Sequence, residues 1–443
     1  MKKSSLMVLV IMLSACSSAP KNYVTPASYE TPYSYRTDTP DPKVGTIPGD
    51  IEALRADNPA EYVKQIAAYI TENSQNDFER VKKAHDLITL MIHYDAENFW
   101  AKTIPDQRYQ NVLKTQSAVS EGYANLFKKL CDELTIPCYI VRGFGRGFEV
   151  SPFAGDTPAK SNHAWNIVTI GDDNYLIDCT WDSGYMDGKA AKHEYTTDYL
   201  FLKPDQFLYT HYPEKPEQQL LARPRSADEF LKLPFYKPKF FEIVEKIDQN
   251  LSAINPADGT LVLDYAVKNG FSISYTVYDE TGNRQFPNSA FAQHSGEKNK
   301  AYFSFPNSGN YLVRIFWKKA DAIADGTTGA SCGEFGIRSS SGSAVQYPAQ
   351  FVSSGKNVEI ISPVEMPLEQ SKPYTFKVRV DNKNVVVVVY GTGFLLLKKG
   401  SDGIFSGELE IPADIENLTI GIADSAPAQG QFEYERIAQY RVN

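Results

Sequence analysis

The chain has 443 residues, 42% of them hydrophobic and 12% aromatic, with a net charge of -9 at pH 7. One hydrophobic core does not organise so long a chain, so about two to four domains are expected, and the composition excludes a disordered protein. The acidic balance and the lack of a long basic run exclude nucleic-acid binding.

At the N-terminus, Lys2 and Lys3 precede an apolar run from Leu6 to Leu13, too short to span a bilayer. Leu13-Ser14-Ala15-Cys16 matches the bacterial lipobox, in which the cysteine is lipidated and becomes the mature N-terminus. An ordinary signal peptide that happens to hold a cysteine is the alternative. Several acyl chains, each buried CH₂ worth about 0.8 kcal/mol, would anchor such a chain stably. Ser17 stands where an inner-membrane retention signal would place Asp, so the expectation is an outer-membrane lipoprotein facing mainly the periplasm. Residues 1–16 are then a signal peptide, and residues 17–50, rich in Ser, Pro, Thr and Tyr, a flexible tether. In that oxidising compartment Cys131 and Cys138 either pair or are buried separately as small apolar residues. The cysteine spacing matches no zinc pattern, and neither a metal nor another cofactor is expected.

Residues 51–242 read as an α+β domain. Helices are expected over 59–73 and 77–93, the second with Val81, Ala84, Leu87, Ile88, Met91 and Ile92 at helical spacing. His85 and His93 fall on it, with packing or surface roles. A short helix over 104–114 precedes a longer one over 119–134, whose buried stripe is Tyr123, Leu126, Phe127 and Leu130. Strands follow over 138–143, 164–170 and 175–177, then an aromatic and proline-rich bridge over 198–240.

Beyond residue 243 the texture changes to short alternating strands with turn residues between them, among them 260–267, 272–279, 301–305 and 311–318. Ser308 to Ile315 is similar to the penultimate strand of an immunoglobulin-like sandwich. A Gly/Ser-rich stretch over 326–343 separates or decorates this unit. Further strands are expected over 374–380, 385–390, 407–411 and 418–422. Val385 to Val389 is apolar on both faces, as a central strand would be. Two all-β immunoglobulin-like sandwiches, 243–350 and 355–443, are the expectation.

Three motifs carry the chemistry. Ser120 lies in Ser-Glu-Gly-Tyr-Ala, His163 in Asn-His-Ala-Trp-Asn and Asp178 in Asp-Cys-Thr-Trp. In order they read as nucleophile, base and orienting carboxylate, the relay of a papain-like cysteine enzyme. A helix N-terminus lowers a thiol pKa into the working range, and a histidine completes the ion pair. A hydroxyl is far less acidic, and a serine relay needs an aligned base and oxyanion hole instead. Spacing alone therefore leaves a catalytically silent frame, a serine hydrolase or transferase, a substituting cysteine and structural coincidence as readings. Cys179, beside Asp178 on a strand, lacks a helix terminus behind it. Trp165 and Trp181 flank the relay, as walls of a substrate groove or as packing. Glu121 is a helix-start charge or a groove residue. His193 and His211 lack carboxylate or cysteine partners at metal-ligand spacing and receive no function.

Residues 77–240 resemble the transglutaminase-like superfamily, in the branch that holds the kyphoscoliosis peptidase and cytokinesis-associated relatives. Ala118-Val119-Ser120-Glu121-Gly122-Tyr123-Ala124 is similar to that branch's Gly-Val-Cys-Glu-Gly-Tyr-Ala. The motifs at 162–166 and 178–181 and the run from Asp198 to Pro213 also match. The resemblance implies Ser120, His163 and Asp178 at the triad positions and immunoglobulin-like domains after the core. It implies thiol-dependent peptidase or cross-linking activity for the family, and Ser120 departs from it. The reading is a lipoprotein whose core binds extended polypeptide or a peptide-like envelope component without turning it over. An active Ser-His-Asp peptidase or acyltransferase is the alternative, and a structural envelope protein whose sandwiches carry the function is a third.

Overall fold

The computed structural model describes residues 24–147, 153, 161–247, 254–295, 298–319, 329–350, 358–383, 385–425 and 433–443. The expected signal peptide, with Cys16, lies outside them. The chain divides into two compact units: residues 1–142, 164–201 and 213–224, and residues 143–163, 202–212 and 225–443.

The first unit holds helices α1 (Glu30–Tyr33), α2 (Gly49–Asp57), α3 (Pro59–Glu72), α4 (Asp77–Met91), α5 (Ala96–Ala101), α6 (Tyr109–Thr115), α7 (Ser120–Glu133) and α8 (Cys179–Asp182). Asn58 and Asn76 cap α3 and α4 by accepting the backbone N–H of Glu61 and Glu79. The helix expected over 104–114 starts only at Tyr109, after a loop in which the Asp106 carboxylate accepts from the Arg108 backbone N–H. Strands β1 (His93–Tyr94) and β2 (Ser117–Ala118) pair in parallel. In chain order come strands β3 (Cys138–Gly145), β4 (His163–Ile170), β5 (Asp173–Ile177), β6 (Gly184–Asp187), β7 (Ala190–His193), β8 (Leu200–Leu202) and β9 (His211–Pro213), of which residues 143–145, 163, 202 and 211–212 fall in the segments of the second unit. Five of these form a sheet of order β8-β5-β4-β3-β9, while β6 and β7 make a separate hairpin. Tyr62, Ile66, Val81, Ile88, Leu126, Phe127 and Leu130 fill the core between helices and sheet.

The expected tether is corrected over its described part. Tyr29, Tyr35, Val44 and Ile47 pack against that core. Arg36 donates to the carbonyls of Thr197 and Asp198, and the Asp41 N–H donates to Asp86 at 2.8 Å. Aromatic side chains in a Pro-rich segment supplied the apolar area that low periodicity concealed.

The second unit is almost entirely β. A five-stranded sheet orders Phe235–Tyr236, Ala330–Ser339, Gly309–Lys319, Phe271–Asp279 and Gln285–Phe286. It shares a core with Thr260–Val267 and Lys298–Ser304 through Leu263, Tyr275, Phe303, Val313 and Phe335. A second core, with Ile360, Phe376, Val386, Val388 and Ile420, lies under the strands beyond residue 358. The valines Val386, Val387 and Val388 are all buried, because Val385–Tyr390 lies between two neighbouring strands. The Gly/Ser-rich stretch is no spacer where it is described: Ala330–Ser339 is a core strand, with Cys332, Phe335 and Ile337 directed inward.

The two sandwiches share one eight-stranded sheet, joined where His294 of Ala290–Ser295 pairs with Val358. The buried Gln293 side chain spans the same junction. Its Nε2 donates to the Ile360 carbonyl at 3.1 Å and its Oε1 accepts the Ile360 N–H at 2.6 Å.

Candidate functional site

Ser120 is the first residue of α7, preceded by Val119 in extended conformation. The serine is almost fully buried and stands at the positive end of a 14-residue helix. Gln107 fixes this turn: its Oε1 accepts the Val119 N–H at 3.0 Å, and its carbonyl accepts from Asn125 at 2.9 Å. Gly122 permits the close approach, since a Cβ there would lie 2.6 Å from Gln107 Oε1 and 2.7 Å from Ala118 Cβ. Glu121 pairs with the Arg142 guanidinium. Tyr123 is core, as its spacing indicated, and its hydroxyl donates to the Ile92 carbonyl at 2.7 Å.

Asp178 directly follows β5 and caps α8. Its Oδ1 accepts the Thr180 N–H at 2.8 Å and the Trp181 N–H at 3.2 Å, and the residue is 1% exposed. Strands β4 and β5 pair antiparallel, with Asn166 opposite Ile177. Buried Asn166 also donates to the Ala124 carbonyl at 3.2 Å, which ties β4 to α7 one turn beyond Ser120. His163 opens β4, and strand alternation puts it on the face of Trp165, opposite Asn166.

Around His163 the chain is unusually close. A Cβ on Gly145 would sit 3.1 Å from the imidazole, and Asn162 clamps that glycine from both sides, accepting its N–H at 2.7 Å and donating to its carbonyl at 3.2 Å. Asn162 thus orders the residue beside the histidine, a role its place in the motif did not disclose. His211, given no function from sequence, lies with its ring centroid 5.2 Å from that of His163. Thr210 Oγ1 is 2.8 Å from His211 Nδ1.

Burial separates alternatives that the sequence left open. Trp165 is 1% exposed and belongs to the core, so it does not wall an open groove. Trp181 is half-buried, edge-on to Tyr199 at 5.2 Å. No disulfide joins Cys131 and Cys138; both are buried thiols. Burial pushes the Cys131 and Cys179 thiols well above the ordinary cysteine value, and Asp178 adds to the effect at Cys179. Burial lifts Cys332 to about 12. Cys179 opens α8 rather than lying on a strand, but burial and the neighbouring Asp178 keep its thiol neutral, so it is no replacement for a thiolate nucleophile.

The residue that sequence reasoning missed is His85. Instead of surface or simple packing, it sits fully buried between two carboxylates, Nδ1 3.0 Å from Asp86 and Nε2 3.0 Å from Asp182. Lys82 donates to Asp86 at 2.5 Å and to the Tyr195 hydroxyl at 2.8 Å, while Tyr195 donates to Asp86 at 2.7 Å. Asp182 also accepts from Thr196 Oγ1 and the Tyr199 N–H. Burial opposes a charge on His85, but the hydrogen bonds and charges of Asp182 and Asp86 outweigh it and raise its pKa. Burial also works against ionisation of Asp86, yet His85 and Lys82 hold that carboxyl below its usual range. Asp182 is raised, because burial there exceeds the pull of His85. Since Asp182 closes the short helix that Asp178 caps, the network braces the carboxylate of the candidate relay.

Residues 64–179 match the model of the transglutaminase-like superfamily. The chain is 29% identical to mouse kyphoscoliosis peptidase over 184 residues, 40% of this chain and 27% of that protein. It is 27% identical to Drosophila melanogaster hillarin over 154 residues, 32% and 19% of the two chains. With Schizosaccharomyces pombe cytokinesis protein 3 it shares 30% identity over 143 residues, 30% and 16% of the two chains. The chain spans about a quarter of the length of its kyphoscoliosis peptidase relatives from mouse and human. It is thus an α+β protein in which a transglutaminase-like domain precedes two all-β sandwich cores.

Proposed function

We propose that this protein is an envelope lipoprotein whose transglutaminase-like domain binds a polypeptide or peptide-like envelope component without turning it over. The observation that carries the reading is Ser120, a hydroxyl at the helix start where the related motif places a thiol. A helix terminus shifts a thiol into its reactive range but leaves an alcohol protonated. The buried thiols of Cys131 and Cys179, held in their neutral form, do not substitute for it. Around that hydroxyl the frame persists, with Gln107 and Gly122 fixing the helix start and Asp178 held by two backbone N–H groups. Leu13 to Cys16 support a lipid anchor in the outer membrane, with the β-sandwiches presenting the core or binding partners themselves.

A serine-reactive fluorophosphonate tests the reading directly. The expected result is an unchanged intact mass after prolonged incubation. A stoichiometric adduct on Ser120 that disappears in His163→Ala would overturn it in favour of a working Ser-His-Asp relay.

A further inference from the structure

The geometry points to a binding site for a divalent transition-metal cation of the Zn²⁺ or Cu²⁺ class at the exposed pair His93 and His193, in the first unit. The two Nδ1 atoms lie 2.6 Å apart, and the ring centroids 4.4 Å apart at an interplanar angle of 74°. His193 Nε2 is 2.8 Å from the Thr89 carbonyl. A carbonyl only accepts, so Nε2 carries the ring proton and the lone pair of a neutral His193 is on Nδ1. This is the arrangement in which a metal-ligating imidazole is held, one nitrogen fixed by a backbone carbonyl and the other presented.

Facing that lone pair, His93 Nδ1 donates the proton that joins the rings. A cation takes the place of that proton when His93 moves it to Nε2, which leaves both Nδ1 lone pairs directed at one point. Two bonds of about 2.1 Å at a tetrahedral angle hold their nitrogens about 3.4 Å apart, so the rings need to part by less than about 1 Å. Both residues are exposed, and the adjustment falls to His93 while His193 keeps its bond to the Thr89 carbonyl. Water completes the coordination, and imidazole nitrogens favour Zn²⁺ or Cu²⁺ over Mg²⁺ or Ca²⁺.

The backbone on each side is fixed. His93 pairs with Ser117 in the β1–β2 ladder, and its N–H donates to the Gln116 carbonyl at 2.9 Å. His193 pairs with Gly184 at the base of the β6–β7 hairpin. Gly184 has φ +148°, and a Cβ there would meet the Lys192 carbonyl oxygen at 1.9 Å, so the residue is obligatorily glycine. A bound cation would clamp the β6–β7 hairpin to the strand beside the segment leading into Ser120.

The test uses the full chain stripped by a chelator and titrated with Zn²⁺ against a chromophoric competitor. One equivalent should bind, and His93→Gln and His193→Gln should each weaken binding about tenfold or more, while His163→Gln should not. Unchanged affinity in both pair variants, loss only in His163→Gln, or no binding by the wild-type chain would overturn the proposal. A readout independent of variant folding is ¹⁵N NMR of the histidines in the wild-type chain. Both Nδ1 resonances should move on Zn²⁺ addition and return on chelation; if they stay put, the site does not exist.

Discussion

His85 Nε2 lies 3.0 Å from Asp182 Oδ2, and both side chains are fully buried. Removing one member of such a pair strands a charge away from water. His85→Leu should therefore cost about 3–5 kcal/mol of stability, read as a lowered urea midpoint at unchanged slope.

The same group sets a pH dependence. A histidine whose folded pKa is raised contributes stability that is fully present below its ordinary 6.5 and lost as pH rises through the folded value. Asp86, lowered, contributes above its ordinary 3.8 and loses that contribution on acidification, whereas raised Asp182 acts in the opposite sense. The distinct signature is thus the alkaline limb: wild-type stability should fall as pH rises above about 6.5. In His85→Gln that limb should flatten. Parallel urea titrations from pH 6 to 9 check it, and identical slopes in the two proteins would refute the assignment.

Gly122→Ala places a methyl within 2.6–2.9 Å of Gln107 Oε1, Ala118 Cβ and Val112 Cγ2. Overpacking of this kind costs about 1–3 kcal/mol. The melting temperature should drop, and a crystal structure should show Gln107 displaced from the Val119 N–H.

Ser120→Cys should create a thiol with a pKa below the free-cysteine value of about 8.5, because it inherits the helix N-terminus. The pH dependence of iodoacetamide alkylation measures it. Cys131, Cys138, Cys179 and Cys332, all buried, should stay unmodified in the native protein. A thiol at position 120 titrating at the ordinary value would mean that the frame no longer favours an anion there.

Gln293→Ala leaves the Ile360 N–H and carbonyl without their side-chain partner at the junction of the sandwiches. Stranding such buried groups costs about 1–3 kcal/mol each. Calorimetry should show the β half melting less cooperatively, with two transitions separating from one.

What the sequence disclosed follows from which forces are local. The α7 stripe, the Ser120 helix start and the strands around His163 and Asp178 are carried by periodicity and short motifs, so they were legible. His85 was not, because its second carboxylate is 97 residues away and only the folded chain brings them together. Ala330–Ser339 hid behind its glycines. Gly333 is glycine because a Cβ there would meet the Phe235 carbonyl at 2.8 Å, so the residue that looked like a spacer is a close-packing requirement. The wrap over residues 24–57 hid in the same way, its contacts coming from scattered aromatics rather than a repeat.

The sealed thiols have one more consequence. Cys131, Cys138, Cys179 and Cys332 are buried and unbridged, so none offers its sulfur to a neighbouring molecule or to a shuffling oxidant. Burial keeps these sulfurs from reagents in solution, while the Cys131 and Cys138 thiols contact each other inside the core. A chain built this way relies on its folding being quick, because its sulfurs are protected only once the cores have closed.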